Sequence, residues 1–240
     1  RLRDRFSHCS DIVFRSVAAT ERQTLLIVFI DGLVDKQMLD EAVLKPILAN
    51  KLPEEEREKR PAGRWIKNEI VALSQTRLVS DLHEAVQALL NSSVVILADG
   101  ETTGLAASLS GAKTRGIEEP ASEAVLRGPR EGFTESIRTN TSMLRRKIKS
   151  ARLKMESLTV GDVTQTEIVI SYIDGIARQS IIDEVRERVS RIRTDSILES
   201  GYIEEFIEEE TYSPFPTVQN TERPDIVASS LLEGKIAVLT

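Results

Sequence analysis

A chain of 240 residues can form one large domain or two small ones. Its 40% hydrophobic and 29% charged residues are typical of a globular protein. The net charge of −6 and the aromatic content of 4% argue against a nucleic-acid-binding surface, which needs positive charge and stacking rings. Cys9 is the only cysteine, so no internal disulfide can form, and the two histidines do not suggest a metal site. We therefore expect no cofactor and no bound metal.

The sequence carries no membrane-spanning run. Its longest apolar stretch, Leu25 to Ile30, is too short to cross a bilayer. The chain begins at Arg1 instead of a methionine, and we expect it to be a segment of a longer protein. Missing targeting or membrane segments therefore say little about the full protein.

The first half of the chain opens with two predicted strands and a helix. Residues 11–17 and 24–30 are rich in β-branched residues, and Asp31-Gly32 ends the second strand in a turn. Helical spacing then runs from Leu33 to Leu44, and we expect Pro46 to end or kink this helix.

A further helix and a hairpin complete the first half. Asp81, with Glu84 three residues later, forms a capping box that opens a helix. Strands at Val94–Leu97 and Leu105–Leu109 are expected to pair across an Asp-Gly turn. The charge-rich stretch Lys51–Arg64 could be an interaction loop, but its composition favours surface disorder.

The stretch Arg127–Phe133 separates the two halves. Two glycines, a proline and almost no apolar side chains make it typical of a rigid turn or hinge, formed by Gly128, Pro129, Gly132 and Phe133. The predicted elements that follow are helices at 135–149, 179–192 and 200–209, a helix that begins near Pro224, and strands at 167–173 and 235–239.

The two halves repeat one pattern. Ile30-Asp31-Gly32-Leu33 and Ile173-Asp174-Gly175-Ile176 each end a β-branched strand, and an Asp-Glu pair lies nine residues beyond each first aspartate. The offset from Asp31 to Asp174 is 143 residues, and the offset from Leu89-Leu90 to Leu231-Leu232 is 142. We infer an α/β fold of two similar subdomains, each a small mixed sheet with helices, separated by a cleft and joined by a hinge and helix.

The repeat sets the predicted domain boundaries. Residues 1–116 form the first subdomain, 117–153 the hinge and linker helix, and 154–240 the second subdomain. Because the first copy continues through an Asp-Gly turn into a partner strand, we expect the sequence to end inside the final hairpin of the second copy.

The candidate ligand-binding residues are the polar ones placed near the predicted cleft: Asp31, Arg130, Glu131, Asn140 and Asp174. The two aspartates follow strands, where open α/β sheets bind ligands. In the alternative, which we favour, each bonds its own turn and caps the next helix. Since asparagine is a poor helix former, Asn140 either bonds a small polar ligand or links the two lobes.

Two segments carry opposite charge. Residues 127–154 are basic and residues 195–210 are acidic. The two could form a contact between subunits, or the basic segment could face an anionic membrane, but two solvated faces are the favoured interpretation.

The second half carries a series of short motifs. They are Arg127–Phe133, Ile137–Thr141, Arg145-Arg146-Lys147, Val160-Gly161, Tyr172–Ala177, Ser200–Glu205, Ser213–Pro216 and Thr221–Asp225. Together they closely resemble the A-subunit family of spore germinant receptors, the GerA family. The match is dense from Glu118 to Thr240 and looser from Arg1 to Lys113.

The resemblance implies a place and a function. It implies a cytoplasm-facing, soluble N-terminal domain of a receptor in the spore inner membrane, which has B and C subunits and membrane-spanning helices beyond this segment. It also implies a response to a small nutrient of the amino acid, sugar or nucleoside class that starts germination with ion release. The implied fold is that of the two-lobed substrate-binding proteins of transporters.

Two hypotheses follow for the function. In the first, this is a non-catalytic sensory or coupling domain, in which ligand or partner engagement changes the angle between the lobes. In the second, it organises assembly, with possible self-association, and the nutrient binds elsewhere in the complex. An enzyme that uses the two aspartates has little support, because no partner motif accompanies them.

Overall fold

The computed structural model describes residues 1–18, 24–49, 75–110, 131–208 and 217–240. The chain divides into two compact units. Unit 1 consists of Arg1–Arg5 and the chain from Asp11 to Thr114, and unit 2 consists of Phe6–Ser10 and the chain from Arg115 to Thr240. The prediction for Lys51–Arg64 falls outside the described residues.

Unit 1 is built on a five-stranded sheet. Its strands are β1 (Ile12–Ala18), β2 (Thr24–Ile30), β3 (Thr76–Val79), β4 (Ser93–Ala98) and β5 (Gly104–Ser108). Their order is β1-β2-β4-β5-β3, and every neighbouring pair is antiparallel. The predicted hairpin of β4 and β5 is confirmed, with Val95 opposite Ala106.

A continuous helical region follows β2 and covers one face of this sheet. It consists of α2 (Lys36–Leu39), a π-helical turn (Asp40–Leu44) and α3 (Lys45–Ala49), and a short α1 (Leu2–Arg5) precedes the sheet. The prediction that Pro46 ends the helix is wrong, because the helix continues to Ala49, and the alternative of a kink stays a prediction. In the π turn, Lys45 N–H donates to Asp40 O, five residues earlier. This wider turn leaves room for the proline ring, which would crowd a carbonyl in a regular α-helix.

Helix α4 (Leu82–Leu90) begins at the predicted capping box. Asp81 Oδ1 accepts a hydrogen bond from Glu84 N at 2.7 Å. The Glu84 carboxylate reaches back to Ser80, whose N–H and hydroxyl donate to it at 2.8 Å and 3.0 Å. Two unsatisfied donors at the helix start are thereby bonded, as in a capping box shifted by one residue.

Unit 2 is built on a three-stranded sheet. Its strands are β6 (Leu153–Val160), β7 (Thr166–Ile173) and β8 (Ala237–Leu239), in the order β6-β7-β8. The N-terminal segment Phe6–Ser10 adds to the outer edge of β6, because Met155 N–H donates to His8 O at 2.8 Å and Ser10 N–H donates to Met155 O at 2.8 Å. The sequence pattern predicts neither β6, whose polar residues interrupt its apolar ones, nor this edge contact.

Helices cover both faces of the second sheet. They are α5 (Ile137–Lys147), α6 (Gln179–Arg191), α7 (Ser200–Ile207) and α8 (Pro224–Leu232). Helices α5 and α8 pack with Val169 and Ile173 of β7, whereas α6 and α7 pack with Ile168, Ile170 and Tyr172 on the opposite face. All four helices are confirmed predictions, with ends that differ from the predicted ones by at most two residues.

The prediction of mixed sheets is wrong. All pairs between the described strands are antiparallel, and the single parallel bridge joins Cys9 to Met155. In each sheet the first two strands pair antiparallel, and a later strand pairs antiparallel with the second of them, β4 with β2 and β8 with β7. Within the described ranges, no helix is long and apolar enough to span a membrane.

Candidate functional site

Asp31 lies in the turn that follows β2 in unit 1. Its N–H donates to Asp11 O at 2.7 Å, and its carboxylate pairs with Lys36 Nζ at 2.9 Å. The cap of the next helix is Asp35, whose Oδ1 accepts from Met38 N at 3.0 Å. The favoured interpretation of Asp31 as the helix cap is therefore wrong. The argument from strand ends also weakens, because the ends of antiparallel strands alternate between opposite edges of a sheet.

Asp174 lies in the corresponding turn of unit 2 and is exposed. Its N–H donates to Arg152 O at 2.8 Å, and its carbonyl accepts from Arg152 Nε at 2.7 Å. Gly175 has φ +74°, and a Cβ there would lie 2.7 Å from Arg152 Nη2, so the turn requires glycine. Helix α6 begins after Arg178 without a side-chain cap, so Asp174 does not cap it either.

Asn140 is buried near the start of α5, with 3% of its surface exposed. Its side-chain amide forms two hydrogen bonds with the backbone of Thr134. Oδ1 accepts from Thr134 N at 2.8 Å, and Nδ2 donates to Thr134 O at 2.7 Å. Ser136 caps the helix by accepting from Thr139 N at 3.4 Å. Asn140 therefore fixes the chain that leads into α5, with both polar ends of its amide bonded.

The segment before α5 meets the segment before α8. Phe133 N–H donates to Glu222 O at 2.8 Å, and the Phe133 ring packs against the core of unit 2 beside Ile137. Gly132 is buried. We call the set Glu131–Thr134, Lys147 and Thr221–Asp225 the junction, because each of its three parts contacts or electrostatically influences another.

Two ion pairs lie in the junction. Lys147 Nζ lies 3.1 Å from Glu131 Oε2. The Arg223 guanidinium donates a hydrogen bond to each oxygen of the Asp225 carboxylate, at 2.5 Å and 3.1 Å. The hydrogen bond from Arg223 holds the pKa of Asp225 below its usual value, against the effect of burial, and the positive charge of Lys147 acts in the same direction. The junction is therefore a charged region in which Glu131 and Asp225 are each paired with a basic side chain.

The structure brings together only part of the predicted ligand set. Glu131 belongs to the junction, and Asn140 holds its neighbour Thr134, whereas Asp174 is bonded to Arg152 instead. Asp31 belongs to unit 1, and Arg130 lies outside the described residues, as do the predicted hinge residues Gly128 and Pro129. Ligand binding by these residues stays a prediction.

Sequence reasoning missed three charged residues of the junction as candidates: Lys147, Arg223 and Asp225. Two signals could have found them. Arg223 and Asp225 flank the proline that opens α8, where a bidentate pair can form across two residues, and Lys147 ends a basic run at the C-terminus of α5. Their contacts across the chain depend on packing that the spacing alone does not specify.

A second polar cluster lies on the other face of the second sheet, around Glu156 of β6. Arg186 of α6 donates to both of its carboxylate oxygens, at 2.8 Å and 2.9 Å, and the Tyr172 hydroxyl donates at 2.5 Å. His8 Nδ1 lies 3.4 Å from Glu156 Oε1, and Arg186 also contacts Asp183 at 2.7 Å. We call these five residues the Glu156 cluster; it fastens α6 and the N-terminal segment to β6.

The electrostatics of the Glu156 cluster follow from its geometry. Burial would raise the pKa of Glu156, but the hydrogen bonds from Arg186 and Tyr172 and the charges of Arg186 and His8 outweigh it and lower that pKa. Burial and the bond to Glu156 raise the pKa of the Tyr172 hydroxyl, and the bond to Glu156 raises the pKa of Arg186. Glu156 and Arg186 are therefore held charged, and Tyr172 is held neutral.

The described residues contain no group of three side chains with the spacing of a metal site. Unit 2 carries an open groove of about 200 Å³ between the end of β6 and the end of α6. Its lining residues are Leu158, Thr159, Val160, Gly161, Asp162, Gln165, Val189, Ser190, Ile192 and Arg193. None of the predicted ligand-binding residues lines this groove.

Comparison with known proteins places the chain in a family. All of its residues, 1–240, match the family described as Bacillus/Clostridium GerA spore germination protein. The chain belongs to the GerA family. The resemblance inferred from the motifs is confirmed.

Relatives of this GerA-family chain come from Bacillus subtilis (strain 168). It is 42% identical over 232 residues to the uncharacterized membrane protein YfkQ, covering 97% of this chain and 44% of that protein. It is 38% identical over 232 residues to spore germination protein KA, covering 96% of this chain and 42% of that protein. The chain thus spans less than half the length of these curated relatives.

One solved structure resembles the GerA-family chain over nearly its whole length. It is the crystal structure of the N-terminal domain of the A subunit of the Bacillus megaterium spore germinant receptor GerK3. The two share 33% identity with a TM-score of 0.74, over 99% of this chain and 87% of that one. Two of the motifs that carry the family resemblance are joined at the junction. Phe133, the last residue of Arg127–Phe133, bonds Glu222 of Thr221–Asp225.

Proposed function

We propose that the chain is the N-terminal domain of a germinant receptor A subunit, and that it senses or relays small-nutrient signals that trigger spore germination. The observation that carries this proposal is the similarity to the N-terminal domain of the GerK3 A subunit over 99% of the chain, at 33% identity and a TM-score of 0.74. That protein is described as a receptor subunit, and relatives of the chain are described as spore germination proteins.

The proposal extends to partners and place. The full protein acts with B and C subunits in the spore inner membrane, with this domain on the cytoplasmic side, and the nutrient is an amino acid, a sugar or a nucleoside. Support comes from the family alone. A signal that reaches a membrane complex from a domain of this kind requires different affinity for ligand or partner in two conformations.

We further propose that the domain is not catalytic. General acid–base catalysis by a carboxylate near neutral pH needs a pKa raised toward the working pH. Glu156 and Asp225, the described carboxylates with a shifted pKa, are both shifted down and both bonded to arginine. Such groups serve as fixed charges that hold helices in place.

The proposal includes the internal duplication predicted from the repeat. Helices α2 and α6 begin 143 residues apart, at Lys36 and Gln179, and the turns before them hold Gly32 and Gly175, both with positive φ. Helices α4 (Leu82–Leu90) and α8 (Pro224–Leu232) match over their full length at an offset of 142. The strand pairs match in register as well, since Ile27 faces Ile96 and Ile170 faces Val238.

The π-helical turn of unit 1 accounts for the change in offset. Before it, Leu39 corresponds to Ile182 at 143; after it, Ile47 corresponds to Val189 at 142, and all four side chains are buried. A π turn is how a helix accommodates one extra residue without losing its buried face. One inserted residue in unit 1 therefore explains the single gap between the two halves.

The experiment that tests sensing is a titration. We would follow the thermal unfolding and the amide NMR shifts of the isolated chain against a panel of amino acids, sugars and nucleosides. A nutrient that binds the folded chain raises the unfolding temperature by mass action. The expected result is a saturable shift with at least one nutrient class. Its absence for the whole panel would exclude direct sensing and leave relay or assembly.

The second candidate function is assembly of the receptor complex, with the nutrient bound elsewhere. The observation that favours it is a row of exposed apolar side chains on α7, next to acidic residues. Self-association that salt disrupts, together with no response to any nutrient, would support assembly over sensing.

A further inference from the structure

Helix α7 is firmly attached to unit 2. Ile203 is 2% exposed and packs with Ile182 and Val189 of α6. The C-terminal end of the helix is held by Arg188 of α6, whose Nη1 donates to Ile207 O at 2.6 Å. The outward face of α7 is therefore a fixed surface, not a fraying end.

That outward face is apolar. Leu198, Tyr202 and Phe206 are 74%, 38% and 46% exposed, and they follow one another at intervals of four residues. Tyr202 and Phe206 therefore lie above one another on one side of α7, and Leu198 lies two residues before the helix begins. We call these three residues the α7 stripe. A row of large exposed apolar side chains on a fixed helix is typical of an interaction surface, whereas single exposed ones are common.

The segment that carries the α7 stripe is acidic, and the neighbouring Arg188 of α6 is paired with Glu184. Residues 195–208 hold five carboxylates and no lysine or arginine: Asp195, Glu199, Glu204, Glu205 and Glu208. A negatively charged rim repels the anionic surface of a membrane, which binds lysine and arginine. The same rim attracts a basic protein segment, and the faces of Tyr202 and Phe206 add favourable contacts for its cations.

We propose that the α7 stripe docks an amphipathic segment of a partner protein, in which apolar side chains are flanked by lysine and arginine. Apolar anchors would pack on Tyr202 and Phe206, and the basic residues would lie over the glutamates beside them, as when a helix binds an apolar groove with a charged rim. Ser200–Glu205 is also one of the motifs that carry the family resemblance. The proposal rests on the proposed function in one respect, since it seeks the partner within the same receptor complex.

The test places a photo-reactive benzoylphenylalanine at Phe206 in the full-length protein, in membranes of the spore former. The matched control carries it at Leu232 of α8, an apolar residue that is 57% exposed, on a helix that packs on the face of the second sheet opposite to α7. We expect a cross-link from position 206 alone, to a peptide of another protein that mass spectrometry shows to combine apolar residues with lysine or arginine. Three outcomes overturn the proposal: no cross-link, one to an acidic or neutral segment, or one to a second copy of this chain.

Affinity gives an independent arm. The cross-linked segment, made as a synthetic peptide, would be titrated against the chain and its variants. We expect Tyr202→Ser and Phe206→Ser each to weaken binding about tenfold or more, since aromatic anchors dominate such interfaces. Glu205→Lys should also weaken it, and Leu232→Ser should not. Equal affinity for all variants overturns the proposal. Because all four side chains are exposed or partly exposed, unchanged thermal unfolding serves as the control for folding.

The germination response of the same strains separates the two proposals. A missing cross-link with a normal nutrient response overturns the docking proposal and leaves the proposed function intact. A cross-link of the expected chemistry, in a strain in which deleting the gene for this chain leaves every nutrient response unchanged, overturns the proposed function alone.

Discussion

Units 1 and 2 are each built on an antiparallel sheet with helices, and under the proposed duplication two positions differ in chemistry between them. In unit 1, Phe29 of β2 and Leu44 of the π turn are buried in an apolar core. At offsets of 143 and 142 from them, unit 2 has Tyr172 and Arg186, which hold Glu156. Two apolar residues at one end of the chain thus correspond to a hydroxyl and a guanidinium at the other.

The difference shows what the Glu156 cluster adds to a scaffold that does not require it. A paired charge in a partly buried place is not inherently more stabilising than apolar packing, because desolvation offsets much of the attraction. It does provide directional bonds, and through His8 it attaches the N-terminal segment to the sheet. It also makes the stability of unit 2 depend on pH, whereas Phe29 and Leu44 of unit 1 carry no titratable group.

The largest expected effect comes from the position at which the two units are most alike. Leu89 and Leu231 correspond at an offset of 142, and both are fully buried. We expect Leu89→Ala and Leu231→Ala each to lower the free energy of unfolding by about 3 kcal/mol, through lost burial and the cavity left behind. Hydrogen exchange should show faster opening of β2 and β4 in the first variant and of β7 and β8 in the second. A cost below about 1 kcal/mol for one of them would mean that the two cores are not equivalent.

The next largest effect is expected at the Glu156 cluster, where the two units differ. Glu156→Gln removes the charge that Arg186 and Tyr172 bind and leaves the arginine partly unpaired. We expect a loss of about 2 kcal/mol at pH 7, within the range for hydrogen bonds to charged groups. Glu205→Gln, on the exposed face of α7, is the control and should change stability by less than about 0.5 kcal/mol. Equal effects of the two substitutions would contradict a structural role for the cluster.

The pH dependence of this contribution has a definite sign. The folded-state pKa of Glu156 lies below its ordinary value of 4.5, so its stabilisation is fully present above pH 4.5 and is lost as the pH falls through the folded-state value. Asp225, whose pKa is also lowered, acts in the same direction. Unfolding measured from pH 7 downward should therefore show a smaller acid loss in Glu156→Gln than in the unsubstituted chain. An identical acid loss in both would contradict this assignment.

A smaller effect is expected when α6 is given a helix cap like that of α2. Asp35 caps α2, and its counterpart before α6, at an offset of 143, is the exposed Arg178, which provides no cap. Both residues have extended backbone angles, with φ −74° and −72°. We expect Arg178→Asp to raise the free energy of unfolding by about 1 kcal/mol and Asp35→Ala to lower it by a similar amount. No gain from Arg178→Asp, with α6 intact by circular dichroism, would show that the two helix starts differ in geometry.

The smallest expected effects concern the two aspartates of the repeated turns. Asp31 pairs with an exposed Lys36, and the described bonds of Asp174 come from its backbone. We expect Asp174→Asn to change stability by less than about 0.5 kcal/mol, because its side chain is exposed. Asp31→Asn should cost about 1 kcal/mol or less, because the amide loses the ion pair with Lys36 but keeps an acceptor oxygen in a side chain that is 16% exposed. If either residue binds a nutrient, the same substitution should abolish the saturable shift in the titration while folding is unaffected. A full response in both variants would remove them from the ligand set.

The sequence predicts the local features of both units well, because local signals and packing agree there. The turn glycines, the capping box at Asp81, the hairpin of β4 and β5, and the buried stripe of α6 all follow from period and turn chemistry. The family resemblance, carried by motifs such as Arg127–Phe133, also follows from sequence alone. These are features that a short window of residues determines.

The missed features depend on contacts that no short window contains. Strand β6 has polar residues because Glu156 and Lys154 face neighbours from other elements, so its pattern does not alternate clearly. Phe6–Ser10 joins unit 2 through Met155, nearly 150 residues away in sequence. Asn140 looked like a ligand-binding residue because it is a poor helix former, yet its amide bonds Thr134. The π turn that accommodates Pro46 was also missed, because the proposed inserted residue becomes visible only when the two halves of the chain are aligned.

The most direct test of the central claim is the nutrient response of spores that lack this domain. Three strains without other members of the family would be compared. One lacks the gene, one has the full-length gene restored, and one has the gene restored without the codons for residues 1–240. Nutrient-triggered loss of optical density should occur only with the full-length gene, while all three strains should germinate after a receptor-independent trigger. A normal nutrient response in spores that make the protein without residues 1–240 would contradict a sensing or relaying function for this domain.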